Sequence, residues 1–456
     1  MDTAYRDKEV MVVGAGRSGF GLARFFRERG ARVTLSDRRP AGEVAGAAEL
    51  TAAGIRLDLG GHSAELFNTA DLIALSPGVP PEVPAVAGAA ARGVPVWGEI
   101  EVAWRELPQP LAAITGTNGK STVTTLMGDV FQAWGKRTFV GGNLGTPLIE
   151  AVGGSWDWLV VELSSFQLET IVNFQPRWAV LLNITEDHLD RYPDMAAYQA
   201  AKGRLFENQG DADWVVLNAD DPRVLAAAET ARGRRILFSG TRLLAEGMSL
   251  AGDDLVWRWQ GTATRFPVRE LQIRGQHNLE NVMAALIPPL VEGCPPHTAW
   301  AAATAFRGLP HRMELVATVN GVRWYDDSKG TNIGSVVKSL AGLEPPVTLI
   351  AGGKDKFGDL APLCAPIAAK VSNLILIGQA ASRMAVAYQG LTAIHHAASM
   401  ADAVALGAQL TPAGGTVLLS PGCSSFDMFK SYEERGHVFA AAVRGLATAP
   451  GGGDGG

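Results

Sequence analysis

Seven residues, GTNGKST at 116–122, carry the densest chemistry in this chain. A phosphate-binding loop reads G-x-x-x-x-G-K-[ST], and here Ile114 stands where the leading glycine belongs, with Gly116 two residues later. The shift leaves the mechanism intact. Gly116, Thr117, Asn118 and Gly119 still offer a glycine-rich run of backbone N–H groups to a triphosphate. Lys120 can reach β- and γ-phosphate oxygens, and the hydroxyl of Ser121 or Thr122 can ligate Mg²⁺.

Such a loop needs a second metal ligand. In DWLVVELSSFQLE, Glu162 closes an apolar strand, where a buried carboxylate is costly unless paired or bound to metal. Mg²⁺ takes oxygen ligands and keeps several waters, so one carboxylate suffices; a salt bridge is the alternative. NITEDHLDRY sets His188 among Glu186, Asp187 and Asp190, either as a metal or substrate-phosphate position or as a solvated acidic turn. Lys202, in YQAAKGRLFE, falls on the following helix and by itself reads equally as a solvated lysine.

A second glycine pattern, VVGAGRSG, gives G-x-G-x-x-G at Gly14, Gly16 and Gly19, with Asp37 closing the next strand. That arrangement suits NAD, another nucleotide diphosphate on a helix N-terminus, or a purely structural turn. Ser76 and Gly78, in LSPGVP, follow a further strand end and either line the same crevice or form a simple turn.

The elements that must position these residues are α/β throughout. Residues 1–98 alternate short apolar strands with helices, as a parallel Rossmann-like sheet does. Residues 99–307 open on the buried strand PLAAITG and the helix KSTVTTLMGDVFQAWG, ended by Gly135, and GMSLAGDDLVWRW predicts an antiparallel patch with GDD in its turn. Residues 308–448 return to a Rossmann-like alternation, and the glycine tail 449–456 is expected to be disordered.

At 456 residues, about three domains are expected. A net charge of −6 offers no broad basic surface for nucleic acid, so an anionic ligand needs a local positive site. Cys294, Cys364 and Cys423 are far apart and form no C-x-x-C pair, so neither a disulfide framework nor a zinc site is suggested. The charged N-terminus is unlike a signal peptide, and no apolar run approaches the ~20 residues of a membrane helix, so a cytoplasmic enzyme without membrane insertion is expected.

GTNGKST, ELSSFQLE, NITEDHLDRY, YQAAKGRLFE, GQHNLENVMAA, GLPHRME, DDSKGTN and LSPGCSSFDMFKSYEERG occur in that order. The set closely resembles the Mur ligases of bacterial cell-wall synthesis over about residues 8–445, and most of all those that add D-glutamate. SSFQLE with EDHLDRY is the more specific signal, since relatives such as folylpolyglutamate synthases share the phosphate loop. The resemblance implies ATP-dependent joining of D-glutamate to UDP-N-acetylmuramoyl-L-alanine through an acyl phosphate, by a monomer. A dehydrogenase would leave the phosphate loop, Glu162 and His188 unexplained, and a P-loop switch would hydrolyse ATP without acceptors.

Residue by residue, the resemblance places UDP on Arg17, Ser18, Asp37, Arg38, Ser76, Pro77 and Gly78, and the muramoyl part along Asn143 and His188. Two divalent ions, Mg²⁺ or Mn²⁺, would be held by Ser121 and Glu162, and by His188 with Lys202 as its carbamate. Asn278, Asn281, Arg312 and Asp327 would meet ATP, with His311 alongside Arg312 and Lys329 steadying the transferring phosphate. D-Glutamate would lie on Thr331, Lys356, Ser425, the N–H of Phe426 and the neighbourhood of Tyr432; Lys354 is the competing lysine. Pro288–Pro289 departs from the family pattern and predicts that the surrounding helix stops or kinks.

Overall fold

The computed structural model describes residues 4–189, 191–355 and 357–448, so the expectations for Asp190, Lys356 and the glycine tail lie outside the described residues. The chain forms two compact units: one takes the chain up to Asn183 with Gln199–Pro267 and Asn281–Ala303, the other Ile184–Tyr198, Val268–Glu280 and the chain from Thr304.

The first unit contains two sheets. Strands β1 (Glu9–Val13), β2 (Arg32–Asp37), β3 (Arg56–Leu59), β4 (Leu72–Leu75) and β5 (Val96–Gly98) form a parallel sheet in the order β3-β2-β1-β4-β5. The order reverses between β1 and β4, which is where an open α/β sheet leaves a crevice at its carboxyl ends. The second sheet comprises β6 (Leu111–Thr115), β7 (Thr138–Gly142), β8 (Trp158–Glu162), β9 (Trp178–Leu181), β10 (Trp214–Asn218), β11 (Arg234–Ser239), β12 (Gly247–Ala251), β13 (Asp254–Trp259) and β14 (Thr262–Pro267). Its order is β14-β13-β12-β11-β10-β9-β6-β8-β7. The antiparallel patch is β12–β14, with Gly252 and Asp253 in the first turn, and β11 joins it to the parallel strands. β6 lies between β8 and β9, so the loops leaving all three strands emerge side by side.

The second unit carries β15 (Glu314–Val319), β16 (Val322–Asp326), β17 (Val347–Gly352), β18 (Val371–Ile377), β19 (Ala393–His396) and β20 (Thr416–Leu419), in the order β15-β16-β20-β17-β18-β19. All pairs are parallel except β15 with β16. Successive side chains enter opposite layers: Leu349, Leu374 and Leu418 pack into one core, Ile350, Ile375 and Leu419 into the other. Both faces are covered, which is why these strands read as unbroken apolar runs. Each such fully buried side chain contributes about 1.5–3 kcal/mol.

Of the two outcomes expected at the proline pair, a stop or a kink, the stop does not occur: the helix Gln276–Val291 runs through Pro288 and Pro289. Both fall in its last turn, so the loss is confined to the helical amide donors of the Ala284 and Ala285 carbonyls, and the N–H groups of Glu292 and Cys294 close onto the proline carbonyls.

Candidate active site

The crevice of the first sheet collects the glycine turn and its partners. Ser76 Oγ donates to the Gly14 carbonyl at 2.8 Å, joining the loops after β1 and β4. A Cβ on Gly14, whose φ is +97°, would crowd Ser76 and Val79, so only glycine fits that turn. Asp37 accepts from Ala15 N–H at 2.6 Å and pairs with Arg39 at 2.9 Å. Burial opposes its charge, but the Arg39 guanidinium and the N–H groups of Arg39 and Ala15 prevail and hold the carboxyl well below the usual range. Arg38 is exposed, whereas Arg39, which sequence reasoning passed over, contacts Asp37 and the Ala15 carbonyl. Arg17 donates to the carbonyl of Gly145 at 2.8 Å, two residues beyond Asn143. Pro77 and Gly78 follow Ser76 in its loop, and Ser18 lies in the helix Arg17–Glu28.

The phosphate-loop sequence leaves β6 and enters the helix Lys120–Ala133. Thr117 N–H donates to Asn183 O at 2.9 Å and Asn118 N–H to Asn183 Oδ1 at 2.8 Å, so the segment after β9 backs the loop. Gly119 has φ +86°, and a Cβ there would collide with Asn281 Oδ1, which places Asn281 against the turn. Lys120 Nζ donates to the carbonyls of Gly116 and Thr117, both at 2.9 Å. Lys202, 1% exposed, places its Nζ 3.0 Å from the same Gly116 carbonyl. Thr117, Ser121 and Thr122 are buried.

Glu162 stands opposite Ile114 on the neighbouring strand, and its Oε1 accepts from Asn143 Nδ2 at 2.7 Å. A buried carboxylate with a helix-start hydroxyl gives an oxygen donor set of the kind Mg²⁺ takes, so Ser121 and Glu162 fit such an ion. ELSSFQLE owes its form to a local device: Ser164 and Gln167 make a reciprocal capping box that starts the helix Ser165–Leu168 just after Glu162.

In the second unit, His188 has φ +57°, its N–H bonds Asp187 Oδ1 at 3.0 Å, and its ring meets Tyr198 edge-on. Asn278 and Arg312 line one cavity of about 520 Å³, together with Arg274, His277, Arg307 and Tyr325. Burial, with Lys338 and Arg312 nearby, pushes His277 down to about 4, so its imidazole is neutral at pH 7. Asp327 Oδ2 accepts from Ser339 and Ser420, each at 2.7 Å, and burial raises its carboxyl to about 6 despite those hydroxyls.

Lys329 Nζ lies 3.6 Å from the centre of the Tyr432 ring. Gly422 N–H donates to the Gly330 carbonyl at 2.8 Å, holding the Thr331 segment against the loop that leads to Ser425. Ser425 is buried and Phe426 exposed. Lys354, the competing lysine, bridges to Ser424. Sequence reasoning named His311 but missed its buried partner Asp326, the Nδ1 and Oδ2 lying 2.6 Å apart, and Arg435, 1% exposed. The doubled aspartate in DDSK was the available signal for Asp326; a charged residue on a helix gave none for Arg435.

Three family models match in order: "Mur ligase MurD-like, N-terminal domain" over residues 8–98, "Mur ligase middle domain" over 114–288 and "Mur ligase, glutamate ligase domain" over 311–423. A UDP-N-acetylmuramoylalanine--D-glutamate ligase of Syntrophotalea carbinolica is 62% identical over 443 residues, covering 97% of this chain and 98% of the relative. The protein of that name from Geotalea uraniireducens is 52% identical, covering 96% and 98%. Among solved structures, the UDP-N-acetylmuramate-alanine ligase MurC of Thermotoga maritima superposes with a TM-score of 0.59 at 18% identity, covering 96% of this chain and 99% of that one. MurF ligase of Thermotoga maritima in complex with ADP gives 0.59 at 14% identity, covering 97% and 96%.

Proposed function

The chain belongs to the Mur ligase family, and on that premise we propose that it uses ATP to join D-glutamate to the L-alanine carboxylate of UDP-N-acetylmuramoyl-L-alanine, in peptidoglycan precursor synthesis. The observation that carries the reading is the loop 116–122. It is braced by Asn183 and Asn281, and Lys120 and Lys202 both reach its Gly116 carbonyl.

The chemistry follows from charge. A carboxylate repels an incoming amine and has only oxide to lose. The L-alanine carboxylate oxygen therefore attacks the γ-phosphorus of ATP, the bond to the β–γ bridging oxygen breaks, and ADP leaves with an acyl phosphate formed. The D-glutamate amine, as the free base, then attacks the acyl carbon; the tetrahedral adduct collapses, phosphate departs and the nitrogen loses its proton. Here the protein supplies position and positive charge. Lys120 turns from the loop carbonyls to the γ-phosphate, and Lys329 offsets the charge on the transferring group. Mg²⁺, on Ser121 and Glu162, supplies further neutralisation when bound; His188 and a carbamate on Lys202 would hold a second ion.

UDP takes the crevice between β1 and β4, its diphosphate against the start of the helix Arg17–Glu28. Asn278, for the adenine or ribose of ATP, and Arg312, for its phosphates, share a cavity next to the ribose-binding Asp327 through Ser339. Thr331, Ser425, Phe426 and Tyr432, with Lys356, make the D-glutamate pocket. The three family segments divide the work as UDP-substrate, ATP and amino-acid domains, within residues 1–98, 99–307 and 308–448.

Phosphate release tests the proposal. It is expected only with ATP, the UDP-linked alanine substrate and D-glutamate together, and not when L-glutamate or a diamino acid replaces D-glutamate. Release with a diamino acid alone would transfer the chain to a sister activity.

A further inference from the structure

Arg435 is one of the largest fully buried side chains among the described residues, yet its hydrogen bonds go to a hydroxyl and two backbone carbonyls rather than to a carboxylate. Its Nε donates to Ser328 Oγ at 2.9 Å, Nη2 to the Ser328 carbonyl at 2.7 Å and Nη1 to the Cys423 carbonyl at 3.2 Å. Ser328 immediately precedes Lys329, and Cys423 lies two residues before Ser425. One guanidinium thus spans the two loops that carry the phosphate-steadying lysine and part of the D-glutamate pocket. Burial lowers Arg435 only to about 10, so it keeps its charge at neutral pH, helped by Asp427, Asp326 and Asp327 nearby.

Two neighbours on the same helix, Tyr432–Thr448, make the arrangement specific. Tyr432 lies one turn before Arg435; its carbonyl accepts from Ser328 Oγ at 2.8 Å, and its ring faces Lys329 Nζ. Gly436 lies one residue after, where a Cβ would collide with His311 Nδ1 and crowd Asp326 Oδ2. Asp326 Oδ1 in turn accepts from Ser328 N–H at 2.9 Å. The first turns of this helix therefore contact the Lys329 loop by ring, guanidinium and bare backbone at once.

We propose that Arg435 is a positioning residue for the ligation: it fixes Lys329 for phosphoryl transfer and holds the Cys423–Ser425 loop in register for D-glutamate. It acts through Ser328 and Cys423 and touches no substrate. A lysine in its place reaches at most one of the two loops, since a point charge on a flexible stem cannot reproduce a planar fork.

The proposal rests on the ligase reading, and wild-type D-glutamate-dependent ADP release tests that reading separately. Against an active wild type, Arg435→Lys and Ser328→Ala are compared by thermal melting, steady-state kinetics and hydroxylamine trapping of the acyl phosphate without D-glutamate. The expected result is folded protein, an unchanged KM for the UDP-linked substrate, trapping slowed at least ten-fold and a KM for D-glutamate raised at least five-fold in Arg435→Lys. Ser328→Ala, which removes only the hydroxyl between Arg435 and Tyr432, is expected to slow trapping with a smaller effect on D-glutamate. If Arg435→Lys does not fold, Ser328→Ala decides alone. Trapping and D-glutamate KM within two-fold of wild type in a folded variant, or losses that follow the folded fraction alone, would overturn the assignment.

Discussion

Replacing Glu99 by Gln should stabilise the protein in a pH-dependent way. Glu99 begins the helix Glu99–Glu106, directly after β5, and is 1% exposed. Its Oε1 accepts from Ile149 N–H at 2.7 Å, while Oε2 has no hydrogen-bond partner among the described residues. Burial, against the pull of the Ile149 and Leu148 N–H groups and with Glu150 adding to it, raises the carboxyl from 4.5 to about 7. That difference corresponds to about 3 kcal/mol. Below pH 4.5 the group is neutral folded and unfolded and costs nothing. As pH rises to about 7 the unfolded chain ionises while the folded one keeps its proton, so stability falls, and above 7 the loss levels off. Glutamine keeps an acceptor for Ile149 and cannot titrate. Guanidinium unfolding, followed by the fluorescence of tryptophans such as Trp104 on the same helix, should therefore show Glu99→Gln gaining about 2.5 kcal/mol on wild type between pH 5 and pH 8. A difference between the two proteins that is the same at both pH values, to within about 0.5 kcal/mol, would refute the reasoning.

Gly119→Ala forces a Cβ into Asn281 at a left-handed φ of +86°, so ATP binding measured by calorimetry should weaken at least ten-fold; wild-type affinity would show that the loop has another seat. Arg39→Ala releases the Asp37 carboxyl toward its ordinary range and should raise the KM for the UDP-linked substrate several-fold at constant kcat, whereas an unchanged KM would separate Arg39 from that substrate. In carbon-13 bicarbonate, wild type should give a carbamate NMR signal that Lys202→Arg lacks. Absence of the signal in wild type, with Lys202→Arg fully active, would remove the carbamate from the mechanism.

What was legible in the sequence, and what was not, divides along a physical line. Strands such as β17 and β18 could be read because burial on both faces demands unbroken apolar runs, and the turns at Gly14 and Gly119 because only glycine tolerates their φ and the close approach of Ser76 or Asn281. The antiparallel patch showed in its turn residues. Long-range polar pairings left no such trace. Asn183 backs the phosphate loop from 65 positions away, and Arg435 reaches Ser328 across 107. A single polar side chain on a strand end or helix looks the same whether it is solvated or spends all its hydrogen bonds inside. Arg39 shows the finer limit: Asp37, Arg38 and Arg39 are consecutive, and only the bend of the chain after β2 decides that the second arginine, not the first, folds back onto the carboxylate. Sequence can thus assign chemistry to a segment, but which of two adjacent like residues performs it is set by backbone direction. The same ambiguity separates Lys354 from Lys356. Substituting each lysine singly, with the KM for D-glutamate as the readout, resolves it: the α-carboxylate ligand raises that KM, and its neighbour does not.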